Sequence, residues 1–567
     1  MKKNLQLLLL LLCVFTTGYA QTNVGGTIAS NTTWDLAGSP YIVVNGITID
    51  SAITLTIMPG VQVKYNGWFP VCVNGTIRAI GTPDSLIEFK SNLFIPNYYP
   101  GLYFSPSAPD YDFNTGTGNF LQYCKFLKAG YSGCNLALYG AIESDSATPY
   151  IDNCIFDDCY TVWEGNYLRG DFRFTNNKVL NTTIEPLFNC SFVNPNKEAV
   201  FSCNLFKDNE ISSPMSAGFV IGGLAPGRYI NFSNNFFVSN NISTALTVMI
   251  YKPLNFHHNT MYNNNIGIGY FIVVMDTFQH NLFANNSVGE FLDIRDSLAV
   301  ITNNNFLFND TVSNFGDYLI SNIIRQWYFS QHINGTSNYW GTTDTAVIND
   351  LIYDYYDDTS HVQVDYLPVL TAPDIDAPIS PVQNLTRINL TGNNVQLSWD
   401  PNPESDIAGY RIYWGGYTGY SFTQQLDVGN VTTYTLSGVA NSDSMAVTAY
   451  DVNSTTYKDF CSGQESWFSM PRLTAVGVKE NAQQQVKIIF QPNPFSKYTV
   501  AKIPGNFTEK DFDFILSDAT GRIINKQSFK SSVIKLYRNN LMPGIYFYRL
   551  TDKKKNILAN GKLIVSE

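Results

Sequence analysis

The hexapeptide Asn-x-aromatic-x-x-Asn recurs down the middle of this chain and limits what the chain can fold into. It stands as NLFKDN from Asn204, NFFVSN from Asn235, NLFANN from Asn281 and NNFLFN from Asn304, and with methionine in the aromatic place as NTMYNN from Asn259. Looser copies begin at Cys124 (CKFLKA), Cys154 (CIFDDC) and Asn177 (NKVLNT), and NYW at Asn338 ends the series. Successive copies lie 30, 23, 27, 31, 24, 22, 23 and 34 residues apart. A period in the low twenties, with short β-type runs and no amphipathic helix, predicts an all-β solenoid of about three short strands per coil. The longer steps read as the same coil with loop insertions. Phe206, Phe237, Met261, Phe283 and Phe306 are expected to point inward and stack. Asparagine belongs in the turns, because it tolerates left-handed backbone and bonds locally. Its side chains can also ladder from coil to coil. The regular leucine pattern of a leucine-rich repeat is absent.

The same register explains two histidines. His258 and His280 each stand directly before the first asparagine of a copy, in the place held elsewhere by Cys203, Asn234 and Asn303. They are expected to form one column of polar residues, about 4.8 Å apart as neighbouring strands require. Stacked imidazoles are also a candidate metal site. A third ligand would be needed, for which Asp276 is the candidate.

Composition agrees with β-structure and export. Only 14% of the 567 residues are charged and another 14% are aromatic, a balance that suits sheets better than exposed helices. The net charge of −11 argues against nucleic acid as a partner. Lys2 and Lys3, the apolar run LLLLLLCVF and the small residues of TGYA read as a secretory signal, cut between Ala20 and Gln21. Leu12 before Cys13 is the wrong residue for a lipoprotein anchor, and no later run is long enough to span a bilayer. Export permits disulfides, with Cys154–Cys159 and Cys190–Cys203 as candidate bridges. The other cysteines are expected to be buried as small apolar groups, because the spacing lacks the close pairs of a zinc site.

The stretches ITLTIMPGVQVKYNG and VNGTIRAIGTPDSLIEF alternate strictly, with Ile53, Leu55, Ile57, Val61, Val63, Tyr65, Val71, Val73 and Ile77 on the apolar side. They resemble the opening coils of secreted right-handed parallel β-helix proteins. The segment 338–370, which opens NYWGTTD, resembles the way such domains close, with a short acidic piece capping the open end. The resemblance implies a right-handed parallel β-helix over 21–372. Farther on, APDIDAPISP marks a linker. In VQLSWDPNPESDIAGYRIYWG, TYTLSGV and MAVTAYDVN, the residues Trp399, Tyr410, Ile412, Tyr434, Leu436, Val447 and Tyr450 stand where a fibronectin type III domain keeps its core. That similarity covers 373–470 and implies a small sandwich used for spacing or adhesion. A further linker, 471–486, follows. In 487–567, Pro492, Asn493, Pro494, Gly521, Pro543, Gly544, Tyr546 and Gly561 match the pattern of the type A sorting domain of type IX secretion. This resemblance implies the type IX machinery as a partner, passage through the outer membrane and removal of the domain. It leaves the cargo secreted or surface-attached. From Gln485 onward the charge is +8, against −19 for the rest, as expected for a basic tag on an acidic cargo. Asp-Ser or Asp-Thr at Asp50, Asp84, Asp145, Asp296, Asp310, Asp344 and Asp443 resembles a bacterial O-glycosylation signal; it is also a common turn dipeptide.

Two function classes follow. The favoured one is a monomeric, non-catalytic surface protein acting in adhesion, glycan binding or envelope structure, with no cofactor. The alternative is a polysaccharide lyase or glycoside hydrolase acting on acidic glycans, with calcium as the cofactor of a lyase. Its richest patch is FDDCYTVWEGNYLRGDFRF, where Asp157, Asp158, Glu164, Arg169, Asp171 and Arg173 lie within about one coil and are candidates to meet on one face. A second patch holds Glu290, Asp293, Arg295 and Asp296.

Overall fold

The computed structural model describes residues 21–566 except 93–97, 132–133, 135–138, 184–186, 212–217, 224–229, 245, 250–253, 272–276, 295–298, 312–317, 322–331, 358, 360–362, 455–460, 474–489, 492, 494, 503–511, 519–521, 530–532, 540 and 553–556. The repeat folds into stacked parallel strands on three faces. One face includes Tyr150–Asp152, Phe172–Thr175, Ala199–Ser202, Ile230–Ser233, Leu254–His257, Thr277–Gln279 and Val300–Thr302, within a 13-stranded sheet. The hexapeptide itself supplies the second face, as Ile155–Asp157, Lys178–Leu180, Leu205–Lys207, Phe236–Val238, Thr260–Tyr262, Leu282–Ala284 and Asn305–Leu307. The third face carries Trp163–Leu168, Phe188–Phe192, Phe219–Gly223 and Leu246–Met249. Register puts like on like: Phe206 pairs with Phe237, Met261 with Phe283, and Phe283 with Phe306. The five expected inward residues are all buried. Their rings stack, at 4.9 Å for Phe206–Phe237 and for Phe283–Phe306.

Each hexapeptide carries two corners, and the chain turns both in the same way. A residue in left-handed backbone is followed by a buried ladder residue. At the first corner the left-handed residues are Asn153, Asn176, Cys203, Asn234, His258, His280, Asn303 and Ser337, with φ from 52° to 59°. Asparagine and histidine are among the few non-glycine residues that accept this region readily. The ladder behind them is Asn177, Asn204, Asn235, Asn259, Asn281, Asn304 and Asn338. Each of the first six backbone N–H groups donates to the next coil's Oδ1, at 2.9–3.0 Å. Their Nδ2 groups donate backward to main-chain oxygens such as Phe201 O and Phe232 O, both at 2.9 Å. The second corner repeats this with Asp208, Ser239, Asn263 and Asn285 left-handed, and with Asn209, Asn240, Asn264 and Asn286 in the ladder. Corner backbone that no strand can pair is thereby satisfied inside the stack.

The cysteines follow from the same register. Cys124 and Cys154 occupy first-ladder places and copy the amide's part: Cys124 N donates to Cys154 Sγ at 3.4 Å, and Cys154 Sγ donates to Leu121 O at 3.5 Å. Cys159 follows the left-handed Asp158 and so takes the second-ladder place. Cys154 and Cys159 therefore belong to two different corners, one before and one after the strand Ile155–Asp157, and both are free, so the expected bridge between them is wrong. Cys190 is buried beneath the third face and Cys203 lies at a corner, so that pairing is wrong too. The observed bridges are Cys72–Cys134 and Cys203–Cys461, with Cα atoms 5.9 and 4.8 Å apart. Cys124, Cys154, Cys159 and Cys190 are free and buried. Burial raises the thiol of Cys159 to about 12 and pushes that of Cys190 higher still.

Toward the end of the solenoid, Ile352–Tyr353 and Val364–Asp365 each add a strand to a sheet. Trp340 stacks on Phe306 at 4.8 Å. The helix Thr345–Asn349, capped by the Asp344 side chain, inserts Ile348 into the core.

Two antiparallel sheets follow. One contains Thr386–Leu390, Asn394–Ser398 and Thr433–Ser437; the other contains Ile407–Gly415, Gln424–Gly429 and Ser444–Asp451. Trp399, Tyr410, Ile412, Leu436 and Val447 form the core between them, with Tyr434 packed at its edge. Tyr450, expected in that core, lies on the outer face under the Arg411 guanidinium, 4.0 Å from its ring centre. That outer face is covered. Tyr413, Phe422, Trp467 and Phe468 pack on Ile155, Leu180, Leu205, Phe236 and Val238 of the second face. The second-face strands are thus apolar on both sides. The expected spacer is instead a module folded back along the solenoid and tied to it by Cys203–Cys461. The proline-rich segment is bound as well: Asn305 and Asp374 exchange two hydrogen bonds of 2.8 and 3.0 Å, and Asn285 and Gln383 exchange two of 2.9 and 3.0 Å.

Residues 475–567 form a separate unit. Phe512–Asp518, Ile523–Phe529, Gly544–Asp552 and Ile557–Val565 make an antiparallel sheet over a core that includes Phe514, Leu516, Ile534, Leu550 and Leu563. Among the described residues no helix is long and apolar enough to cross a membrane.

Two outcomes test this fold. Asn259→Ala should lower unfolding free energy by about 3 kcal/mol or more in urea titration, since it strands buried groups on both neighbouring coils; the exposed Asn176→Ala should cost less. Non-reducing peptide mapping should recover Cys72–Cys134 and Cys203–Cys461, with the four buried thiols alkylated only after denaturation.

Candidate functional site

The carboxylate patch does not gather. Asp157 ends a second-face strand, 3.4 Å from Lys125 Nζ, and accepts from Asn181 Nδ2 at 2.9 Å. Asp158 turns the next corner, with Lys128 Nζ at 3.0 Å and Tyr98 Oη at 3.3 Å. Glu164 lies on the third face, where it accepts from Asn189 Nδ2 and Tyr139 N. Arg169 and Asp171 flank the turn back to the first face. Arg169 bonds Asp110 Oδ2 at 3.1 Å and the carbonyls of Pro106 and Ala108 at 2.7 Å each. Asp171 holds Lys197 Nζ at 2.9 Å and Glu198 N at 3.1 Å. Arg173 lies over the Phe113 ring at 4.1 Å. The expected meeting on one face is therefore corrected: the set is spread around the coil, each member bound to local partners. Of the second patch, Arg295 and Asp296 lie outside the described residues.

The histidines do form the expected column. Their rings stack at 5.1 Å. His257 Nδ1 lies 2.8 Å from His258 Nδ1, and His280 Nδ1 lies 2.6 Å from Asp374 Oδ2. Burial first, then the neighbouring imidazoles, lowers His258 to about 4. Asp276 lies outside the described residues. The carboxylates beside the column are Asp374 and Asp376, from the proline-rich segment nearly a hundred residues later. Nothing in the repeat could point to them; the pair in APDIDAP was the available signal.

The first corner also lines a cavity of about 220 Å³ where the sandwich module meets the solenoid. Asn153, Asn176 and Asn234 contribute amides and Lys178 its amine from the solenoid, and Tyr420 and Trp467 come from the sandwich module. Asp152, itself buried, accepts from Asn153 Nδ2 and Asn176 Nδ2 at 2.8 Å each, which orients both amides and leaves Oδ1 as the acceptor each can offer. Lys178 Nζ sits 5.1 Å from the Tyr420 ring centre, and its burial lowers its affinity for a proton. The left-handed column put these amides on one edge, but the aromatic wall comes from a docking that the spacer reading did not include.

In the C-terminal unit, Asn493 clasps the last strand: Ile564 N donates to its Oδ1 at 2.7 Å, and its Nδ2 donates to Lys562 O at 3.2 Å. Tyr546 Oη donates to Met542 O at 2.9 Å, just ahead of Pro543 and Gly544. Gly561 lies against Tyr548, whose ring a Cβ there would meet at 2.7 Å. Pro492, Pro494 and Gly521 lie outside the described residues, as does Ala20; Gln21 begins the described chain.

Residues 489–566 match the family described as the secretion system C-terminal sorting domain. The chain thus carries a type IX sorting domain, is exported through that machinery, and remains at the cell surface or is released after the tail is removed. Over 74 residues it is 35% identical to protein bark beetle of Drosophila melanogaster, an alignment covering 13% of this chain and 2% of that protein. Similar solved structures include a segment of two fibronectin type III domains from chicken tenascin, with 16% identity, 33% of this chain and 99% of that one covered, and a TM-score of 0.13. Dimeric latent PorU from Porphyromonas gingivalis is 14% identical, with 36% of this chain and 22% of that one covered, and a TM-score of 0.14.

Arg169→Ala should cost about 2 kcal/mol in urea denaturation, having lost an ion pair and two carbonyl bonds. Asp158→Ala, at a half-exposed pair, should cost under about 1 kcal/mol. Full stability in Arg169→Ala would show that its bonds are not structural.

Proposed function

We propose that this exported protein is a non-catalytic, monomeric glycan-binding protein of the cell surface, freed of residues 1–20 by cleavage between Ala20 and Gln21. Its binding site is the cavity between the first corner and Tyr420. The carrying observation is the composition of that cavity: oriented amides on one side and aromatic rings on the other. Sugars offer hydroxyls to amides and C–H faces to rings, and sites for small polar ligands combine an apolar wall with a few fixed polar groups. The parallel β-helix acts as the support, and the fibronectin type III-like module completes the site. The enzyme alternative has less support, since Asp157, Asp158, Glu164, Arg169 and Asp171 are separated and already paired.

The test is to screen the full chain against neutral and uronic-acid oligosaccharides by glycan array and calorimetry, while assaying for new unsaturated or reducing ends. Binding should weaken at least tenfold in Tyr420→Ala, with the circular dichroism spectrum unchanged. New chain ends that disappear in Asp158→Ala or Arg169→Ala would overturn the reading in favour of a lyase or hydrolase.

A further inference from the structure

We propose that His280, Asp374 and Asp376 bind a divalent transition-metal ion of the zinc class, pinning the segment that leaves the solenoid to its corner column. The three side chains offer one imidazole nitrogen and two carboxylate oxygens, all within 4.8 Å of one another. Ligands of one tetrahedral zinc lie about 3.3 Å apart, so small side-chain rotations close the site. Among the described residues no other group of three such side chains meets this spacing.

Two ligands are held in place by interactions that owe nothing to a metal. His280 occupies the left-handed corner place, φ 53°, directly before the ladder residue Asn281. Asp374 has its backbone N–H and C=O both bonded to the Asn305 amide. Asp376 is exposed and adds a second negative charge beside a histidine that already has one carboxylate partner, an arrangement a cation would relieve. A mixed nitrogen and oxygen set favours zinc-like ions over calcium or magnesium, which take oxygen alone. His258, stacked on His280, is the adjacent nitrogen donor. The exposed pair His332–Asp365, at 3.0 Å, provides a comparison with two such groups and no third in reach among the described residues.

This inference is independent of the glycan reading. The experiment takes the full chain, stripped with EDTA and dialysed, and titrates it calorimetrically with zinc chloride, with calcium chloride in parallel. One equivalent of zinc should bind and raise the melting temperature. Affinity should fall at least tenfold in His280→Gln, Asp374→Asn and Asp376→Asn, and stay unchanged in Asp365→Asn. Because Asp376 is exposed, Asp376→Asn leaves the fold intact. A folded wild type that takes up no equivalent of zinc, that prefers calcium, or whose zinc affinity is untouched by Asp376→Asn would overturn the proposal.

Discussion

Every coil depends on turning a corner without leaving backbone groups unpaired inside the stack. Strands of three or four residues bury little area by themselves, and their main-chain bonds run to the neighbouring coils. At the corners the left-handed residue still donates to the next coil's backbone, as Asn234 N does to His257 O, but the N–H of the residue after it has no main-chain partner. The solution is a pair of residues: one in left-handed backbone that turns the chain, and a buried asparagine that donates and accepts between coils. Asn204, Asn235 and Asn259 do this at the first corner, and Asn209, Asn240 and Asn264 at the second. Where Cys154 stands in for asparagine, its sulfur takes the same two parts more weakly. Aromatic stacking along Phe206, Phe237 and the residues that follow then adds roughly 1 kcal/mol per ring pair beyond burial.

The left-handed column has a second consequence. Its side chains project from an edge that the last hundred or so residues of the same unit cover. Cys203 reaches Cys461, His280 reaches Asp374, and Asn153, Asn176 and Asn234 face the wall formed by Tyr420 and Trp467. The bridge between Cys203 and Cys461 closes a loop of 258 residues. In the chain-entropy picture such a loop contributes about 5 kcal/mol. The positions that turn the chain are thus also those that build the candidate sites. Their identities can vary, because only the backbone angle is fixed there.

Much of this was legible in the repeat. The inward aromatics, the shared place of His258 and His280 and the alternating apolar residues from Ile53 to Ile77 all follow from local spacing. The C-terminal tag was legible through its resemblance to a known sorting domain, and its Asn493 and Gly561 have local geometric work. What could not be read was anything requiring two distant segments. The disulfide partners of Cys72 and Cys203 are 62 and 258 residues away, and Asp374 meets His280 only because the proline-rich segment runs back along the coils. One further signal is present in the sequence: Leu205, Phe236, Leu282 and Leu307 stand outward on the second face. A strand apolar on both sides must be covered on both sides, so a packed module rather than a spacer was implied.

Buried asparagines, rather than strand pairing alone, hold the corners shut. Hydrogen exchange followed by mass spectrometry tests it most directly, on peptides that span the corners at 203–209, 234–240, 258–264 and 280–286. The ladder amides should remain protected for as long as those of the adjoining strands. Exchange within seconds at the corners, with the strands still protected, would contradict the account.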